Sequence, residues 1–247
     1  MKEMSLTEHL EELRTRVIRI ALILLVGFMV TYSQGELLQD LLLAPLREAL
    51  GEEGKVVFIG LLDKVLTQFQ LSFWASIIFT SPLWFFELWL FIRPGLYDKE
   101  AKIVRPFAFI GFLLFVAGVL FGYFIVFPYT FDTILSFGVS NIEATLSLKD
   151  YIVLSTKVLV FLGVLFQLPN LILIITFIDL IDRKTLSEFR PYIVTAFAVL
   201  SAMLTPPDPI TMMALLIPLV ALFELGLIGA RVFVEPFKAK QEKELAQ

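Results

Sequence analysis

The chain has 247 residues, 58% hydrophobic and 18% charged, with a net charge of −4 and a mean hydropathy of +0.84. A soluble fold of this length cannot hide so much apolar surface, so lipid is the expected solvent. With no cysteine and a single histidine, His9, disulfide scaffolds and thiolate zinc sites are excluded and a histidine-based metal or proton relay is disfavoured. The small net charge gives no reason to expect nucleic acid.

The first turns, residues 6–16, predict an interfacial helix ahead of the first span. Leu6, Leu10, Leu13 and Val17 share one face, with Glu8, Glu12 and Arg16 elsewhere. Ser5 and Glu8 fit a capping box. By composition alone these charges are solvated, or Glu12 pairs with Arg16 or Arg19. The charged segment 8–19 is not a cleavable leader, so the first span is expected to act as its own insertion signal.

Six apolar segments follow, over about 17–33, 66–92, 104–127, 151–178, 191–204 and 210–230. None alternates as a β-barrel strand does, so each is expected to be a helix. With both termini on one side, that side receives 15 of the 20 basic residues, and the positive-inside rule makes it the cytoplasm.

The expected external loop, 34–65, carries Leu37, Leu38, Leu41, Leu42 and Leu46 at helical spacing, which predicts an amphipathic helix on the outer face. It is either a cap on the bundle or a functional surface. Pro45 is expected to bend or end it. In the second span Gln68, Ser72, Ser76 and Thr80 recur every four residues, a face suited to close helix packing, and Pro82 predicts a kink. The first cytoplasmic loop, 93–103, sets the acid Glu100 among Arg93, Lys99, Lys102 and Arg105. Glu100 is free to pair within that loop or to meet another polypeptide at the membrane surface.

Intramembrane polar residues are few. Gln167 lies mid-span in the fourth segment, and Glu224 lies in the sixth, two helical turns before Arg231. An acid at such depth is a functional candidate by default, or it is satisfied within the bundle. Glu87 is expected to reach the interface. Within the spans only Lys157 offers these groups a cation. The fifth segment has 14 residues, about 21 Å of helix against a hydrocarbon core of about 30 Å. The Thr205-Pro206-Pro207-Asp208-Pro209 turn then leads into a sixth segment also expected to be short. Either the bilayer thins around this hairpin or neighbouring protein covers it. Residues 232–247 read as a cytoplasmic tail, solvated and without order beyond Lys238.

Several of these pieces match one family in order and spacing. They are His9-Leu10-Glu11-Glu12-Leu13-Arg14, Phe91-Ile92-Arg93-Pro94-Gly95-Leu96-Tyr97 with Glu100, the 124–128 stretch, Arg190-Pro191-Tyr192, Leu204-Thr205-Pro206-Pro207-Asp208, and Phe223-Glu224-Leu225-Gly226. Over essentially its whole length the chain resembles the TatC family, the multispanning core of the twin-arginine protein translocase. The resemblance implies an all-α membrane protein of the bacterial inner membrane. It has six transmembrane helices, both termini cytoplasmic, the last two helices short, and a concave bundle.

The resemblance also implies a receptor for twin-arginine signal peptides of folded precursors, driven by the proton-motive force, with no cofactor. By position, Glu12 and Glu100 are the acids expected near the two arginines, with Phe91 beside them and His9, Arg14, Pro94, Leu96 and Tyr97 around them. Single-span TatA- and TatB-like partners are expected at Thr205, Pro206, Pro207, Asp208 and Met212, and self-association within a larger complex. Two positions depart from the family pattern: Gln167 stands where an acid is usual, and Met212 where a glutamine is common.

The rival reading is a small-molecule or ion secondary transporter, but the sequence has no internal repeat and no paired intramembrane charges of the kind such folds use. Enzymatic function is not expected. There is no nucleophile–base motif and no glycine-rich phosphate loop.

Overall fold

The structure is a computed structural model and describes residues 6–50, 55–92, 98–136, 145–178, 180–205 and 208–238. The helices are α1 (Leu6–Ser33), α2 (Gly35–Leu50), α3 (Asp63–Phe79), α4 (Ser81–Ile92), α5 (Asp98–Phe121), α6 (Phe127–Ser136), α7 (Leu148–Leu165), α8 (Leu168–Phe177), α9 (Arg183–Glu188), α10 (Arg190–Leu204) and α11 (Pro209–Gly229). Two π-helical turns, Gly122–Val126 and Ala230–Val234, follow α5 and α11. Two three-residue strands, Lys55–Val57 and Thr145–Ser147, pair in parallel. The helices Ala108–Phe131, Leu148–Phe177 and Pro209–Lys238 are each long and apolar enough to cross a membrane, with mean hydropathies of 2.6, 2.5 and 2.2. The pair α3–α4, bent at its break, passes the same test when taken together as one span. The chain forms two compact units, 1–163 and 164–247.

In the first unit α1 packs along α3 and α4. The stripe on α3 serves close packing, as its spacing predicts. Ser72 and Ser76 are fully buried, and Thr31 of α1 donates to the Ser72 carbonyl at 2.8 Å. A Cβ on Gly27 would overlap Thr80 Cγ2, so only glycine permits this approach. Between α3 and α4 the chain bends by 56°. Pro82 has no N–H for the Ile78 carbonyl, four residues back. Ser81 Oγ donates to that carbonyl at 2.6 Å, and Trp84 Nε1 donates to the neighbouring Ile77 carbonyl at 2.9 Å.

Proline is handled differently in α2. The helix runs through Pro45 to Leu50, so it does not end at Pro45. The Leu41 carbonyl, deprived of its donor by Pro45, accepts instead from Tyr123 Oη at 2.6 Å. The next carbonyl, Leu42, accepts from Tyr151 Oη at 2.6 Å. Leu38, Leu42, Leu43 and Leu46 are buried against Leu71, Phe127 and Ile152, while Leu37 and Leu41 face outward. The segment is a cap on this unit.

Two expectations about helix length are corrected. Residues 6–16 are not a separate helix: α1 is continuous from Leu6 to Ser33. Its Leu10, Leu13 and Val17 are exposed, and its polar side faces protein. The sixth segment is not short either. α11 has 21 residues, about 31 Å, and the helix continues to Lys238. At its charged end Glu235 pairs with Arg183 at 2.5 Å, and Lys238 donates to the Thr176 carbonyl at 2.5 Å. The 15 residues of α10 do make a short helix.

In the second unit α8 packs on α11, where a Cβ on Gly226 would meet Ile172 Cδ1 at 2.7 Å and Pro169 Cα at 3.0 Å. Gly226→Val is therefore expected to cost about 1–3 kcal/mol through overpacking, read as a lower thermal midpoint in detergent. Tyr123→Phe should cost about 1 kcal/mol, but close to nothing in a Pro45→Ala background, where the alanine restores the backbone donor. Equal costs in both backgrounds would refute the proline-repair role of Tyr123.

Candidate functional site

His9, Glu12 and Arg16 lie three and four residues apart on α1, and Glu87 and Phe91 lie four apart on α4. Each set therefore shares one helix face. The two faces meet antiparallel. The His9 and Phe91 rings stack with centroids 4.7 Å apart and planes 14° from parallel. Two turns along α1, Arg16 Nη1 donates to Glu87 Oε2 at 2.9 Å and Arg16 Nη2 donates to Glu12 Oε1 at 3.2 Å. The three side chains are 17% (Arg16), 17% (Glu12) and 13% (Glu87) exposed. Arg19 Nη1 approaches the same Glu87 oxygen at 4.0 Å but is more than half exposed. The Glu87 hydrogen bond foremost, then Glu12, holds the Arg16 guanidinium above its usual pKa against the opposing effect of burial. Glu12 Oε2 and Arg16 Nε are shielded and have no hydrogen-bond partner.

Of the residues expected around a signal peptide, the structure brings together His9, Glu12 and Phe91. Arg14 is on the exposed side of α1. Pro94, Leu96 and Tyr97 lie outside the described residues. Glu100 is in the first turn of α5, and its side chain also lies outside them. The sequence leads Glu87 to be expected at the interface, without a cation in the spans; the structure pairs it with Arg16 and shields it. The signal for this is its spacing of four residues from Phe91, matched by Arg16 seven residues beyond His9.

An apolar groove of about 680 Å³ begins one turn beyond Arg19, lined by Leu22, Val26 and Val30 of α1 and by Phe79, Thr80 and Leu83.

In the second unit Glu224 pairs with Arg190, Nε to Oε1 at 2.8 Å, both half-exposed, so this acid also has a cation. Gln167 is the N-cap residue of α8, where the chain breaks before Pro169. Asp208 Oδ2 accepts the Thr211 amide at 2.8 Å and thereby caps α11, with Pro209 in its first turn. Thr205 is buried and donates to the Ser201 carbonyl at 2.8 Å, and Met212 is half-buried. Pro206 and Pro207 lie outside the described residues. Among the described residues no group of three or more acidic or histidine side chains could hold a metal ion.

A family model described as Sec-independent protein translocase protein (TatC) matches residues 8–218. The chain belongs to the TatC family. It is 39% identical over 241 residues, 98% of this chain and 89% of the relative, to the Sec-independent protein translocase protein TatC of Desulforapulum autotrophicum. It is 36% identical to the TatC of Magnetococcus marinus, over 96% of this chain and 87% of that one. A crystal structure of the twin arginine translocase receptor TatC superposes with a TM-score of 0.78 at 28% identity, covering 91% of this chain and 99% of the other. The chain is thus a mostly helical membrane protein of the twin-arginine, Sec-independent translocase and works in protein transport.

Phe91→Leu keeps apolar bulk and removes the ring. It should cost the α1–α4 seam about 0.5–1.5 kcal/mol, read as a lower midpoint of thermal unfolding; an unchanged midpoint would show that the stack contributes nothing.

Proposed function

We propose that this protein is the membrane receptor and scaffold of twin-arginine protein export. It binds the twin-arginine signal peptide of a folded precursor at the cytoplasmic face. It spans the inner membrane six times with both termini inside, and it organises TatA- and TatB-like single-span partners near Thr205, Asp208 and Met212. The observation that supports the reading best is the α1–α4 seam, where Glu12 presents a shielded carboxylate oxygen with no partner beside the His9–Phe91 stack.

A guanidinium matches such a carboxylate as a planar fork, which lysine cannot copy. Each hydrogen bond to a charged group contributes about 1.5–3 kcal/mol. Glu100, on the next helix, is the second acid. The apolar stretch of the signal lies along the groove of Leu22, Val26 and Val30, where burial of its side chains adds affinity.

The test is binding of a labelled twin-arginine peptide to the protein in nanodiscs, against a Lys-Lys peptide and with Glu12→Ala and Glu100→Ala. Each change should weaken binding at least about tenfold, a difference of 1.4 kcal/mol. Equal binding by all four combinations would sink the receptor reading.

A further inference from the structure

Glu12 is offered above as a partner for an incoming guanidinium, yet it already faces one belonging to this chain. A carboxylate fully paired with Arg16 would be a poor receptor. Arg16, however, is shared. Its contact to Glu87, 2.9 Å, is shorter than its contact to Glu12, 3.2 Å. Among the described residues, the shielded part of the seam therefore holds two carboxylates and one guanidinium, leaving one unit of negative charge unmatched. Arg19 does not cancel it at close range, because it stands 4.0 Å away and is 54% exposed, where water and salt screen it. Glu12 has one engaged oxygen and one without a partner, and Arg16 has an unused Nε.

Resting on the receptor reading, we propose that Glu87 is a positioning residue for peptide binding: it holds Arg16 so that Glu12 stays available to an arginine of the ligand. When the ligand arrives, its guanidinium takes the Glu12 carboxylate, and Arg16, already bonded to Glu87, keeps a full counter-charge. In the bound state each carboxylate then faces its own guanidinium, which removes the cost of an unmatched buried charge. Without a carboxylate at residue 87, Arg16 has only Glu12 to neutralise it. The ligand must then displace an intramolecular ion pair at high effective concentration.

The experiment uses the full-length chain in nanodiscs and a labelled peptide carrying the Arg-Arg pair, with the Lys-Lys peptide as reference. Glu87→Gln keeps size and hydrogen bonding but removes the charge, and should weaken Arg-Arg binding about tenfold and narrow its margin over Lys-Lys. Adding Arg16→Gln to Glu87→Gln frees Glu12 again and should bring affinity back to within about threefold of the unmodified chain. A merely structural role for Glu87 would not be rescued by losing its partner as well. If Glu87→Gln binds normally while Glu12→Ala does not, or if the double variant is as weak as Glu87→Gln, the positioning role is overturned and the receptor reading stands. If Glu12→Ala itself binds normally, the receptor reading falls and this proposal with it.

Discussion

Lipid offers no hydrogen bonds, so every backbone carbonyl released at a proline or a helix break must find a donor inside the protein. This constraint runs through the chain. Pro45 leaves the Leu41 carbonyl without its helix donor and Tyr123 supplies a hydroxyl, while Tyr151 donates to the next carbonyl, Leu42. Pro82 releases the Ile78 carbonyl, and its own neighbour Ser81 answers with a local hydroxyl. The two solutions have different consequences. A local donor lets the helix bend, giving the 56° break between α3 and α4. Donors from other helices serve a helix that runs on through its proline and fasten it to the body of its unit, so the repair is also the tertiary contact.

The bend positions the candidate site. α4 leaves α3 at an angle and lays Glu87 and Phe91 along the first turns of α1, where Arg16 and His9 stand. Isolated charges near a bilayer are costly, and here each shielded acid shares a cation. The same logic appears in the second unit, where Glu224 has Arg190 and Glu235 has Arg183. In each pair the cation comes from residues near a helix end, not from the middle of a span.

Much of this is legible in the sequence. The apolar segments give the helices, because continuous apolar runs have no other way to satisfy their backbones in lipid. The four-residue stripe from Gln68 to Thr80 gives the face that packs on α1, and Gly27 explains why that contact is close. Other features are less legible. The pattern of residues 6–16 predicts a separate interfacial helix with solvated charges or a Glu12–Arg16 pair; the helix is instead continuous with the first span, with Leu10, Leu13 and Val17 exposed and Glu12 paired with Arg16. Glu87 and Glu224 look unpartnered when only cations within the spans are considered. The helical run that begins as α11 continues past its apolar stretch to Lys238, and there Glu235 and Lys238 have partners that composition cannot show.

The seam also bears on specificity. A site that reads arginine over lysine needs a carboxylate whose geometry is held in advance, since a mobile acid would meet either cation through charge alone. Here the His9–Phe91 stack and the Arg16 bridge hold α1 and α4 at two points along one face, and Glu12 lies between them. Its engaged oxygen fixes the plane of the carboxylate, and its other oxygen is shielded and has no partner. An internal guanidinium at this place is therefore compatible with recognition of an external one. By taking one oxygen, Arg16 orients the other, provided that a second acid shares the burden of its charge.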